Sequence, residues 1–202
     1  ELRQVSDQAY RLEGRSLAVV PAALPAGQRP QAAAAALPAG SADSSQRRRD
    51  FVERVWPHAL DAAARTAVPA HFLVAQSALE SGWGKRELRT ADGSPSFNVF
   101  GIKAGRGWSG ATVEVPTTEF VDGVAQTVRA KFRAYGSYAE AFRDYAQLLS
   151  NHPRYSSVIG QQDGVQFARS LQRAGYATDP MYADKLARII GGNTLRQALS
   201  AA

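Results

Sequence analysis

The chain is 202 residues long, 45% apolar, has a formal net charge of +6 and contains no cysteine. The last point excludes disulfide scaffolds and thiolate metal sites. The longest apolar neighbourhood, Leu17 to Ala26, is cut by Pro21 and Pro25 and cannot span a bilayer, so no membrane insertion is expected.

The apolar fraction is rich in alanine, 37 residues in all, and 17 of the 18 aromatic residues follow position 50. A packed core is therefore expected only in the last three quarters of the chain. Residues 1–20 show faint helical spacing (Leu2, Val5, Leu12) and read as the tail of a preceding segment. The chain opens on Glu1 with neither Met nor a signal-peptide pattern, so a fragment is expected, with any targeting segment upstream. Residues 21–49 are an Ala/Pro-rich stretch without aromatics and read as a flexible linker ending in Arg47-Arg48-Arg49. Residues 50–202 are the expected globular domain.

Within it, Phe51, Val52, Val55, Trp56 and Ala59 recur at helical spacing after Asp50, a plausible N-cap, with Pro57 predicting a kink or break. A second helix is predicted from Pro69 to about Ser81, stopped by Gly82 and Gly84. Residues 86–110 are loop-like. Thr112–Phe120 and Gln126–Tyr135 flank Asp122-Gly123 and predict a β-hairpin, with Pro116 placing the first strand at an edge. Ser137-Tyr138-Ala139-Glu140 is a capping box opening a helix to about Leu149. Further helices are expected from Gly164 to Ala174, from Asp179-Pro180 to Ile190, and at the C-terminus. The fold class is α+β, mainly helical, with one small hairpin lobe.

Few residues carry recognisable chemistry. His58, His71 and His152 are scattered and no HExxH occurs, so no metal and no cofactor is expected. Glu80 stands apart: it lies at the last turn of an apolar helix, before Gly82-Trp83-Gly84. The negative end of the helix dipole and apolar neighbours such as Leu79 and Trp83 both favour the protonated carboxyl, which suits a general acid. The sequence physics alone leaves this open against an exposed Glu that merely ends a helix.

Residues 72–84 (FLVAQSALESGWG), then Ser96-Phe97-Asn98-Val99-Phe100-Gly101-Ile102-Lys103, then Tyr176-Ala177-Thr178-Asp179-Pro180 with Tyr182-Ala183, resemble in order and spacing the glucosaminidase domain of glycoside hydrolase family 73, most closely its flagellar members. The resemblance covers roughly residues 51–195. It implies a lysozyme-like fold, an α-lobe and a β-lobe flanking a cleft, and cleavage of the β-1,4 bond after N-acetylglucosamine in peptidoglycan. It matches Glu80 to the general acid and Tyr176 to a tyrosine beside that acid. Trp83, Asn98, Phe100 and Tyr182 are then the expected substrate-binding residues. A glycosidase usually needs a second carboxylate. Glu119, just before the hairpin turn, is the candidate; Glu114 has opposite strand parity and would point to the other face. The implied partners are peptidoglycan glycan strands and, through a part preceding Glu1, flagellar rod proteins, in the periplasm.

Two other readings compete. A lytic transglycosylase would use one carboxylate and yield a 1,6-anhydro sugar; a non-catalytic wall-binding module would keep the cleft without cutting. The basic charge alone is also compatible with nucleic acid, but no basic stripe with interleaved aromatics extends beyond Arg129, Lys131 and Arg133, so no nucleic-acid partner is expected.

Overall fold

The computed structural model describes residues 39–200, Gly123 excepted. The expected tail at 1–20 and the linker up to residue 38 lie outside the described residues. The first helix, α1, spans Ala39–Thr66 and contains Pro57. It corrects the expected boundary, because residues 39–49 are helical instead of linker. Side-chain pairs one turn apart support that added stretch: Arg47 with Asp43, and Gln46 Nε2 to Asp50 Oδ1 at 2.6 Å. Asp50 is thus a mid-helix residue and not a cap. Pro57 is also absorbed within a continuous helix, since Val55 and Ala59 on either side are fully buried and packing holds the turn.

Helix α2 spans Ala70–Ser81 after Pro69. Nine of its twelve residues are buried, so it runs through the centre of the domain. Gly82 ends it in the left-handed conformation (φ 59°), and both its N–H and that of Trp83 return to the Ala78 carbonyl. Between His71 in the first turn and Leu79 in the last, every residue of α2 is buried.

The hairpin consists of β1, Thr112–Val121, and β2, Val124–Arg133, paired antiparallel with Val121 opposite Val124. Asp122 has φ 52°, which suits the first position of a two-residue hairpin turn. Counting from that closing pair, Pro116 opposite Arg129 falls at a non-hydrogen-bonded pair, so its missing N–H costs the ladder nothing. β2 ends two residues earlier than expected. Ala134 and Tyr135 leave the ladder, their N–H groups bonding Ala111 O and Ser96 O. Lys103 adds a single bridge to Phe132 on the outer side of β2.

Four more helices complete the α-lobe. α3 spans Tyr138–Asn151, with Ser137 accepting from the Glu140 N–H as the capping box requires. A short 3-10 turn follows at Pro153–Tyr155. α4 spans Gly164–Arg173 under an Asp163 cap, α5 spans Tyr182–Ile190, and α6 spans Asn193–Leu199. α1 packs on α2, α3 and α6, while α2 also packs on α5. One continuous core runs from Phe51 to Ala198, and the hairpin root keeps a separate small cluster around Val113 and Phe132. The hairpin is thus a lobe attached to the helices and not part of their core.

Candidate active site

The site is built where the end of α2 faces the hairpin. A cleft lies there, with Glu80, Arg86 and Asn98 on the α-lobe side and Val115, Thr117 and Phe132 on the β-lobe side. Backbone at the end of α2 is unusually constrained: Gly82, Trp83 and Gly84 are all left-handed, with φ of 59°, 59° and 77°. A non-glycine residue pays for that conformation. Ser81 helps to hold it, its Oγ accepting from Gly84 N–H (2.9 Å) and donating to Ser77 O (2.6 Å). Trp83 itself is half-buried and meets Phe51 edge-on, with ring centroids 6.2 Å apart.

Glu80 as a residue keeps some solvent contact, yet its Oε1 is enclosed and has no hydrogen-bond partner. Burial pushes the carboxyl up to about 8; a hydrogen bond from Tyr182 and the charge of Arg86 pull the other way and do not win. At neutral pH the group is therefore an acid holding a proton that the protein leaves without an acceptor.

Behind it lies a directed chain of buried polar groups. Tyr145 OH donates to Gln76 Oε1, Gln76 Nε2 donates to Tyr182 OH at 3.0 Å, and Tyr182 donates to Glu80. Gln76 sits one helical turn before Glu80 on the same face, which is why one helix can present both. Burial first, and the nearby Glu80 charge with it, raises all three tyrosines around this chain, Tyr145, Tyr176 and Tyr182, well above the usual phenol range. They stay neutral donors.

This arrangement corrects several expected contacts. Tyr182 is fully buried, so its hydroxyl serves Glu80 and not a sugar. Phe100 is fully buried and stacks on Tyr145 (4.0 Å between centroids, 6° between planes), leaving no ring face for substrate. Tyr176 does lie in the electrostatic neighbourhood of Glu80, but its hydroxyl donates to Phe100 O at 2.7 Å. Asn98 lines the cleft, yet its amide is spent on backbone: Nδ2 donates to Ile102 O (2.9 Å) and Arg133 O (2.8 Å), and Oδ1 accepts from Ile102 N–H (3.0 Å). It ties the 98–102 loop to the hairpin root.

Glu119 is on the inward face of β1, two residues beyond Thr117, and is 8% exposed. Glu114, on the outward face, is exposed and pairs with Arg129 at 2.9 Å. Glu119 is ion-paired with Lys103. A nearly buried carboxylate needs such a partner. Lys103 bridges Phe132, whose strand partner is Val113, six residues before Glu119. Along a straight strand that separation is about 20 Å, farther than the two side chains together can reach. The hairpin must therefore curl back toward its own root. Its tip is held from the other side as well, where Phe120 N–H donates to Thr178 Oγ1 at 3.2 Å.

Lys103, Arg86, Gln76 and Tyr145 were not singled out by motif reasoning. Gln76 had a signal, a large amide inside an otherwise apolar helix one turn from the acid. Lys103 ends the second motif block, but nothing in the block points to Glu119, which is brought near only by the curl of the hairpin. Among the described residues no cluster of His, Asp and Glu could hold a metal ion.

A helical lobe that presents one buried acid to a cleft, with a β-hairpin lobe on the other side, is the arrangement of a glycoside hydrolase domain of lysozyme-like type. The chain belongs to the glucosaminidase family: its profile, described as mannosyl-glycoprotein endo-beta-N-acetylglucosaminidase, matches residues 56–195. A peptidoglycan hydrolase mutant from Sphingomonas sp. A1 superposes with a TM-score of 0.75 at 56% identity, covering 76% of this chain and 99% of that one. The peptidoglycan hydrolase FlgJ of Salmonella typhimurium is 49% identical over 142 residues, 70% of this chain and 45% of its own length. The exo-glucosaminidase LytG of Bacillus subtilis is 35% identical over 145 residues, 69% of this chain and 49% of its own. The chain thus spans about half the length of the curated relatives it matches.

Proposed function

We propose that this domain is an endo-β-N-acetylglucosaminidase that cleaves the β-1,4 bond between N-acetylglucosamine and N-acetylmuramic acid in peptidoglycan. The observation that carries the reading is the setting of Glu80: a carboxyl unpartnered at Oε1 on the wall of a cleft, where burial raises its pKa and favours the protonated form. In the reaction Glu80 gives its proton to the departing glycosidic oxygen. A water adds to the anomeric carbon and passes its proton to Glu119, which also stabilises the oxocarbenium-like charge. Trp83 is the sugar platform in this reading, being the half-exposed aromatic next to the acid. Arg86, a cation on the same wall, suits a polymer that carries peptide-stem carboxylates.

The FlgJ likeness supports a periplasmic setting in which the enzyme opens the wall for a flagellar rod, with rod proteins as partners of a longer chain. Digestion of purified sacculi followed by mass spectrometry tests the reaction. Reducing-end N-acetylglucosamine is expected; 1,6-anhydro ends would mean a transglycosylase. Binding without release of fragments would leave a wall-binding module.

A further inference from the structure

Four buried side-chain polar atoms lack a partner among the described residues, and two of them line the same cleft: Glu80 Oε1 and Thr117 Oγ1. A buried hydroxyl without a partner is costly, and native proteins carry few, usually where a ligand or water completes the set. Thr117 is 5% exposed and sits on the inward face of β1, across the cleft from the acid. Its surroundings are apolar: Leu88, Val115, Pro116 and Phe132 line the same space. The amide that a sugar might have used, on Asn98, is already tied to Ile102 and Arg133.

An acetamido group has a small methyl, one carbonyl and one N–H. A lone hydroxyl set in apolar wall matches those needs: the methyl against Val115 and Phe132, the polar end on Oγ1. From this we infer that Thr117 is a substrate-contacting residue whose hydroxyl receives the N-acetyl group of the sugar bound beside Glu80. Because Oγ1 is shut from water, the sugar must part β1 from the end of α2 to reach it. Opening the cleft in this way loads the two ties near the hairpin tip, Glu119 with Lys103 and Phe120 N–H with Thr178 Oγ1.

The inference rests on the reading of the cleft as a peptidoglycan site, and the test separates the two. Thr117→Val removes the hydroxyl at nearly constant volume; Thr117→Ser keeps it. On purified sacculi, Thr117→Val is expected to lose about tenfold in kcat/KM, the worth of one hydrogen bond, and Thr117→Ser to stay within about threefold of the parent. The Tm of Thr117→Val should be unchanged or higher, because an unsatisfied hydroxyl has gone; a merely structural role predicts a fall. A second arm uses Glu80→Gln as a silent background and measures co-sedimentation with sacculi before and after de-N-acetylation. The Thr117→Val change should weaken binding to acetylated sacculi by about tenfold. Whatever binding is left to the de-N-acetylated material should be the same with either residue. Full activity in Thr117→Val, or equal losses on both kinds of sacculi, would overturn the assignment. If the parent releases no fragments, the muralytic reading fails, and the sedimentation arm still decides on Thr117.

Discussion

Replacing Glu80 by Gln removes a titration that the fold pays for. In the folded domain the carboxyl keeps its proton up to about pH 8, whereas a Glu in the unfolded chain releases it near 4.5. Between those values the folded state binds more protons than the unfolded one, so stability falls as pH rises through that window. Below 4.5 and above 8 this group adds no slope. At about 1.4 kcal/mol per pH unit, the cost reaches about 3 kcal/mol at pH 7. For a domain of this size that is on the order of 6–12 °C in Tm. Glu80→Gln never ionises and should lack this slope; its unpartnered amide adds only a pH-independent offset, so the slope carries the test. Thermal or urea unfolding of both proteins from pH 4 to 9 reads it directly. Parallel curves for the two proteins between pH 5 and 8 would refute the buried-acid argument, whatever the loss of activity. Turnover of sacculi by Glu80→Gln should drop by about 10²–10⁴-fold, the share usual for a general acid.

Three further outcomes follow from the same geometry. Tyr182→Phe and Arg86→Gln each remove an influence that lowers the Glu80 pKa, so the high-pH limb of kcat/KM should move upward from about 8 in both, visible in a pH–rate profile. Glu119→Gln should cost about 10²-fold in kcat, and Lys103→Met should lower kcat in the single variant yet add little in the double variant, as measured by a double-mutant cycle. Full activity in Glu119→Gln would remove the second carboxylate from the mechanism. Gly82→Ala should destabilise by more than about 1 kcal/mol, since its φ of 59° strains an alanine and a Cβ would come within 2.9 Å of Arg86 Nε; chemical denaturation measures it.

The elements that depend on near neighbours were legible in the chain. Pro69 and Gly82 bound α2, Ser137 and Glu140 cap α3, and Asp122-Gly123 sets the hairpin register, because capping and turn chemistry act over four or five residues. The start of α1 was not legible: an Ala-rich stretch is as compatible with a linker as with a helix, and the Arg47–Asp43 pairing and packing of the following turns decide for the helix. Glu80 could be found from its place at the end of an apolar helix, and the three motif blocks identified the family.

Where each motif side chain points is decided only by packing. Phe100 and Tyr182 were expected to touch a sugar and Tyr176 to stand beside the acid; the fold turns all three inward, with the Tyr176 and Tyr182 hydroxyls committed to Phe100 O and Glu80. Thr117 carries no pattern at all, and Lys103 ends a motif block that gives no sign of its partner. Thr117 comes to the cleft wall, and Lys103 meets Glu119, only through the way the hairpin folds over residues far from it in the chain. The sequence by itself determined which elements form and which carboxyl is exceptional, since those follow from local periodicity and helix-end electrostatics. The tertiary structure decided which polar atoms pair within the protein and which stay without a partner, because a side chain can make only as many hydrogen bonds as its donors and acceptors allow.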